Sequence, residues 1–188
     1  MASRFIVIGA SLGGTNALRV LLPALPLAFP AAVTLVLHRG KGSDESLVRF
    51  LQKNCLLPVE EAQDKTLIKP GHVYLAPADY HLLVEGNHFA LSTEAAVSYA
   101  RPSIDVLFES AAEAYGKETV GVILTGANRD GAQGLAAIKR RGGLAIVQAP
   151  DTAECGDMPN AALAAGKVDE ILPLDEIAPF LVKRCSSI

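Results

Sequence analysis

The stretch "RFIVIGASLGGTNALRVLL", residues 4–22, decides the fold. An apolar run from Phe5 to Ile8 breaks into a loop of small residues. Apolar side chains then return at Leu18, Leu21, Leu22 and Leu25, the i, i+3, i+4, i+7 spacing of one helix face. A strand, a tight turn and a helix open a βαβ unit, and in an α/β sheet function collects at the carboxyl ends of the strands. Ser11 stands at that turn with three uses open to it. A glycine loop lets a pyrophosphate approach the backbone. The pattern Gly9-Ala10-Ser11-Leu12-Gly13 also satisfies G-x-S-x-G, which lifts a serine onto a sharp turn as a nucleophile. The plainest use is a glycine turn with a helix-capping serine.

Working outward, 188 residues of which 50% are hydrophobic supply one ordinary domain with ample core, expected to span 1–188. The formal net charge is −3, and apart from Lys139, Arg140 and Arg141 the basic residues are scattered. No basic stripe suits a nucleic acid, so none is expected as partner. Cys55, Cys155 and Cys185 fit neither a disulfide framework nor a metal site, and read as reduced thiols in a cytoplasmic protein. Val20 to Leu37 is uncharged over 18 residues, yet Pro23, Pro26 and Pro30 break any helix there, so no membrane insertion is expected. The N-terminal apolar run is too short for a signal peptide.

"AVTLVLH" (32–38) runs apolar without alternation, as a parallel strand covered on both faces does. A helix is expected from Asp44 to Lys53. "GVILTG" is a further strand, followed by a helix over "DGAQGLAAIKRRGG" with glycines at its end. "LAIVQA" is a strand, "PNAALAA" a short helix, "EILPL" a last strand, and "DEIAPFLVKRC" a closing helix capped by Asp175. "HVYLAP" and "YHLLVEGNHFALS" carry a hairpin signal around Glu85, Gly86 and Asn87. The expected fold is α/β: a doubly wound, mainly parallel sheet with an antiparallel hairpin at one side.

Ser11 follows the first strand, His38 ends the second and Asp130 follows "VGVILTG", so a hydroxyl, an imidazole and a carboxylate meet at one sheet edge. That is an acyl-transfer set. The serine needs a base, and the base works best when a carboxylate fixes its tautomer. Amides opening the first helix, at Leu12 and Gly13, would face an oxyanion formed beside Ser11. Taken singly, His38 also reads as an edge-of-core histidine and Asp130 as the N-cap of the next helix. His72, His81 and His88 lack metal-ligand spacing and read as structural; no metal or cofactor is expected. The competing reading is a dinucleotide loop in "GASLGG", with Arg39 near a cofactor phosphate. Its catalytic Tyr-x-x-x-Lys is missing: four residues beyond Tyr74, Tyr80, Tyr99 and Tyr115 stand Ala78, Val84, Ser103 and Thr119. No acidic residue closes the second strand to hold a ribose.

"VIGASLGGTNAL", "PGHVYLAP", "RPSIDVLFES", "GVILTGANRDGAQGL" and "DMPNAAL", in this order across almost the whole chain, resemble the catalytic domain of the chemotaxis protein-glutamate methylesterases. The resemblance implies a serine esterase acting on glutamyl methyl esters of chemoreceptor cytoplasmic helices, with deamidation of glutamines by the same route as a second activity. It implies Ser11 as nucleophile, His38 as base, Asp130 as orienting carboxylate, and an oxyanion-binding amide at Ala127. The chain departs from the family in four places. Leu12 stands where threonine is common, Leu37-His38 replaces Gln-His, Ala127-Asn128 replaces Met-Gly, and Arg39, Gly40 and Lys41 replace an apolar, proline-containing segment. Should Asp130 prove a cap, Asp105 and Asp79 are the next candidate acids. Many family members carry an N-terminal phospho-acceptor domain. With the first strand beginning at Phe5, the expectation is a stand-alone catalytic domain, active without phosphorylation and regulated, if at all, by a separate protein. A catalytically silent receptor-binding module and an NADP-binding oxidoreductase are the alternatives.

Overall fold

Phe5 and Val7 point to one side of the first strand and Ile6 and Ile8 to the other, and all four are at most 1% exposed. A strand of this kind needs cover on both faces. The structure, a computed structural model describing residues 4–38 and 46–186, supplies it. In chain order the elements are β1 (Phe5–Ala10), α1 (Gly14–Leu21), β2 (Ala32–Leu37), α2 (Ser46–Lys53), β3 (Val59–Glu61), β4 (Val73–Leu75), β5 (His81–Glu85), β6 (His88–Ser92), α3 (Ile104–Tyr115), β7 (Thr119–Ile123), α4 (Ala132–Arg140), β8 (Leu144–Gln148), α5 (Asp157–Ala165), β9 (Glu170–Leu172) and α6 (Leu174–Ser186).

Seven strands form one sheet in the order β3-β4-β2-β1-β7-β8-β9, every pairing parallel. The two cores follow from strand alternation. Ile6, Ile8, Val33, Leu35, Val120 and Val122 pack with Leu18 and Leu21 of α1, Leu51 of α2 and Leu181 of α6. On the other face Phe5, Val7, Val36 and Ile123 pack with Phe108 of α3, Leu135 and Ile138 of α4 and Met158 of α5. From β1 the chain works outward through β2, and it later returns to β1's other side as β7. The crevice beyond the carboxyl ends of β1 and β7 is therefore the topological switch point.

Several expectations are adjusted. α1 ends at Leu21 and passes into a 3₁₀ turn over Leu22–Ala24, because Pro23 cannot donate to a continuing helix; Leu22 and Leu25 remain buried. Residues of "HVYL" belong to the parallel sheet, with Val73 in register with Val33, and only β5 and β6 form the hairpin. That hairpin turns at Gly86 and Asn87 and forms its own two-stranded sheet, whose Leu82, Val84 and Phe89 join the core containing Phe108 of α3. α6 begins at Leu174, so Asp175 sits inside its first turn rather than at a cap. The expected start of α2 at Asp44 lies outside the described residues. β3 and α3 are additions to the expected order.

Candidate active site

Ser11 leaves the end of β1 on a turn that the neighbouring strands stitch in place. Its N–H donates to Thr125 O beyond β7 (2.9 Å), and its carbonyl accepts from Gly14 N (2.8 Å). Thr125 Oγ1 donates to Leu12 O (2.8 Å) and accepts from Cys155 N (2.9 Å), while Thr125 N donates to Gln148 Oε1 (3.0 Å). The conformational strain of the turn falls on Gly13, φ 80°, which is the N-cap of α1. Gly126 is required for a different reason: a Cβ there would lie 2.9 Å from Ser11 Cβ and 2.6 Å from Met158 Cε. Ser11 does not cap α1, and among the described residues its hydroxyl makes no hydrogen bond. The amides of Leu12, Gly13 and Ala127 are likewise without a hydrogen-bond acceptor among the described residues. The Leu12 side chain stands in solvent.

Asp130 is the opposite case. It is fully buried and accepts four hydrogen bonds: at Oδ2 from His38 Nε2 (2.8 Å) and Ile104 N (2.7 Å), and at Oδ1 from Ser103 Oγ (2.8 Å) and Asp105 N (3.0 Å). Burial opposes its charge, but the bond from His38 and the two amides at the start of α3 outweigh it. The carboxyl is held below its usual range. Asp130 is not the cap of α4, whose N-cap is Gly131; it fills the N-terminus of α3 instead. Asp105 returns the favour from within α3, accepting from Gly134 N of α4 (2.7 Å). Its own carboxyl is pushed up to about 6, chiefly by burial and further by the charges of Asp130 and Glu109, against the lowering effect of the Gly134 amide.

His38 follows β2, its side chain 13% exposed, with its N–H bonded to Ala10 O. Both ring nitrogens have partners: Nε2 meets Asp130, and Nδ1 meets Asn128 Nδ2 at 3.1 Å. Asn128 Oδ1 accepts from Asp130 N (3.0 Å), which orients the amide. Ser103 is anchored in turn by its N–H donating to His81 Nδ1 (3.2 Å), while His81 Nε2 meets Ala95 O. Ser103 is a part of the site that the sequence reading left out, while Asn128 stood there only as a departure from the family's Met-Gly pair and His81 as a structural histidine. Ser103 had a signal, since a serine before apolar residues at 104, 107, 108 and 111 is an N-cap pattern. For Asn128 the signals were that departure and its place two residues before Asp130, an Asx-turn spacing.

Ser11, His38 and Asn128 open into a cleft of about 630 Å³, walled by Asp79, Arg101 and the segment 96–102. Asp79 is paired with Arg101 (2.7 Å), whose guanidinium also donates to Thr93 O and Glu94 O. In that wall Ser98 and Tyr99 adopt positive φ, 51° and 64°, and the Tyr99 side chain projects fully into solvent. Neither Asp79 nor Asp105 hydrogen-bonds His38 among the described residues. His72 meets Pro70 O, and His88 lies exposed on the hairpin, both outside the cleft. Arg39, Gly40 and Lys41 lie outside the described residues.

A hydroxyl, an imidazole and a buried carboxylate gathered at the switch point of a parallel sheet define an α/β domain with the groups of a serine hydrolase. Comparison with protein-family models matches residues 6–181 to CheB methylesterase, and the chain belongs to that family. A Leptospira interrogans protein, provisionally named a protein-glutamate methylesterase/protein-glutamine glutaminase, is 50% identical over 95% of this chain and 93% of its own length. The protein-glutamate methylesterase/protein-glutamine glutaminase 1 of Cupriavidus pinatubonensis is 44% identical over the whole chain, which spans 55% of that relative's length. The crystal structure of the Thermotoga maritima CheB methylesterase catalytic domain superposes with a TM-score of 0.93 at 34% identity, covering 98% of this chain and 100% of that one. The chain is thus an esterase-family catalytic domain, and the dinucleotide-loop reading falls away.

Proposed function

We propose that the protein hydrolyses γ-glutamyl methyl esters on the cytoplasmic helices of chemoreceptors, releasing methanol, with Ser11 as nucleophile, His38 as base and Asp130 as the carboxylate that orients it. The observation that carries the reading is the 2.8 Å bond between His38 Nε2 and a carboxylate held ionised, in a cleft that also contains Ser11. The names of the relatives supply the substrate class.

In the proposed sequence Ser11 Oγ attacks the ester carbonyl carbon as His38 Nδ1 takes its proton. The tetrahedral oxyanion is met by the amides of Leu12, Gly13 and Ala127, whose hydrogens are not engaged elsewhere among the described residues. Collapse expels methoxide, which leaves as methanol with the proton from His38. Water then gives its proton to His38 and attacks the glutamyl-serine ester; collapse restores Ser11 and leaves a γ-carboxylate. With a glutamine the same steps expel ammonia. Asp130 stays ionised throughout and stabilises the imidazolium. The chain acts as one catalytic domain, and the cytoplasm is its proposed place. Among the described residues no helix is long and apolar enough to cross a membrane.

The test is methanol release from methylated receptor fragments. Ser11→Ala is expected to lose turnover on the order of 10³-fold or more while keeping its fold. Unchanged turnover would remove Ser11 from the mechanism. A serine-reactive phosphonate distinguishes an enzyme from a silent binding module, because only an activated hydroxyl is labelled.

A further inference from the structure

The lone pair that His38 needs in order to accept the Ser11 proton is already engaged. Asp130 is an ionised acceptor, so the Nε2 facing it carries the ring proton. Asn128 Oδ1 is occupied by the Asp130 N–H, so the group turned toward Nδ1 is the Asn128 NH₂, a donor. Nδ1 is therefore bare, and its one acceptor site is filled by Asn128 at 3.1 Å, while Ser11 Oγ makes no hydrogen bond among the described residues. Asn128 also lines the cleft and a neighbouring one of about 400 Å³ beside Tyr99, Arg129 and Asp157, where an incoming substrate carbonyl can compete for its amide.

We propose that Asn128 is a positioning residue that selects the Nε2–H tautomer of His38 and holds the base in a resting state, which is released when Ser11 takes the place of the Asn128 amide at Nδ1. This rests on His38 being the base proposed above. It is specific to this chain's residues, since a side chain without an amide at 128 leaves Nδ1 free. The two bonds of Asn128 do different things. Its oxygen closes an Asx turn that presents Asp130, and its nitrogen covers the base.

Two variants separate those bonds. Asn128→Ala removes both and uncovers Nδ1. Asn128→Asp is nearly isosteric and keeps the acceptor for the Asp130 N–H, but it turns an acceptor toward Nδ1 and so draws a proton onto it. The readouts are the rate of Ser11 labelling by a small fluorophosphonate and the ¹⁵N spectrum of His38, which distinguishes a protonated from a bare ring nitrogen. Asn128→Ala is expected to label about three- to tenfold faster, the scale of one neutral hydrogen bond lost from the resting state. Asn128→Asp is expected to label at least about tenfold slower, with Nδ1 protonated. The proposal is overturned if folded Asn128→Ala labels no faster than wild type, or if Asn128→Asp keeps Nδ1 bare. Ser11→Ala and His38→Ala run alongside: labelling that survives His38→Ala would refute the assignment of the base itself, a separate result from either outcome at Asn128.

Discussion

The N-termini of α1 and α3 both end at the same edge of the sheet, and they are treated in opposite ways. At α3 the first amides are filled. Ile104 N and Asp105 N donate to Asp130, and Val106 N donates to Ser103 Oγ at 3.4 Å. At α1 the amides of Leu12 and Gly13 have no acceptor among the described residues, no side chain caps the helix, and no acidic residue lies in its first turn. Both ends carry the partial positive charge of a helix dipole. One is neutralised permanently by a carboxylate of the fold, so it serves structure and holds His38. At the other, the nearby Glu154 carboxylate accepts from the Asn16 side chain (3.1 Å) and leaves the Leu12 and Gly13 amides unengaged among the described residues, so in the proposed mechanism they can meet a negative charge that exists only during reaction.

Asp130→Asn attacks the filled end and has the largest expected effect. An amide cannot accept at both positions, so its NH₂ faces either the α3 amides or the His38 N–H, and the imidazole is pushed toward the wrong tautomer. Turnover should fall on the order of 10³–10⁴-fold. Denaturant melts at pH 7 should show a loss of about 2–3 kcal/mol, because a buried hydrogen-bonded network is broken. Since the folded carboxyl is held below its ordinary value, its stabilising contribution is present above about pH 4 and disappears as the pH falls through the folded value. The gap between wild type and variant should therefore narrow in acid. Full activity with an intact fold would make Asp130 only a cap for α3.

Gly126→Ala attacks the open end. The added methyl meets Ser11 Cβ and the end of Met158, so the serine turn must shift while Asp130, His38 and α3 stay as they are. A displacement near 1 Å of a reacting group costs about 10²-fold in rate, and that is the expected loss in turnover; overpacking lowers stability by about 1–3 kcal/mol at every pH, so the shape of the stability–pH curve stays that of wild type. A changed pH dependence of stability would show that the two helix ends are coupled.

How much of this was legible in the sequence also divides along the two ends. The α1 end was nearly complete, because strand, glycine turn and helix follow one another from Phe5 to Leu21 and carry their chemistry on local pattern. Its glycines at 13 and 14 were visible, although the reason for Gly126 was not, since that contact joins positions 115 residues apart in the chain. The α3 end was half legible. Asp130 could be placed at a strand end, but what holds it comes from a helix missing from the expected order and from contacts between residues 26 and 27 positions apart. β3 escaped for a physical reason: only Val59 of its three residues is buried, so it offers no apolar run to read.

The reciprocal bond between the two helices gives the smallest effect and the sharpest sign. Asp105 is buried close to Asp130, and burial raises its carboxyl to about 6 in the folded protein, against about 3.9 in an unfolded chain. Between those values the unfolded state releases the proton while the folded state keeps it, so this group makes the protein less stable as pH rises from about 4 to about 6; above that its penalty is constant. The difference of about two units corresponds to about 3 kcal/mol. Asp105→Asn keeps an oxygen for Gly134 N but buries an NH₂, offsetting about 2 kcal/mol, so the variant should be about 1 kcal/mol more stable than wild type at pH 8. At pH 4 that advantage should be gone or reversed, since the Asp105 carboxyl then keeps its proton in the folded protein and is about half protonated in the unfolded chain, so most of the charge penalty has vanished while the cost of the buried amide remains. Paired denaturant titrations at the two pH values measure this directly. An advantage of equal size at both pH values would mean that the Asp105 charge is not what strains the α3–α4 contact, and that the filled helix end tolerates a second carboxylate beside it at no cost.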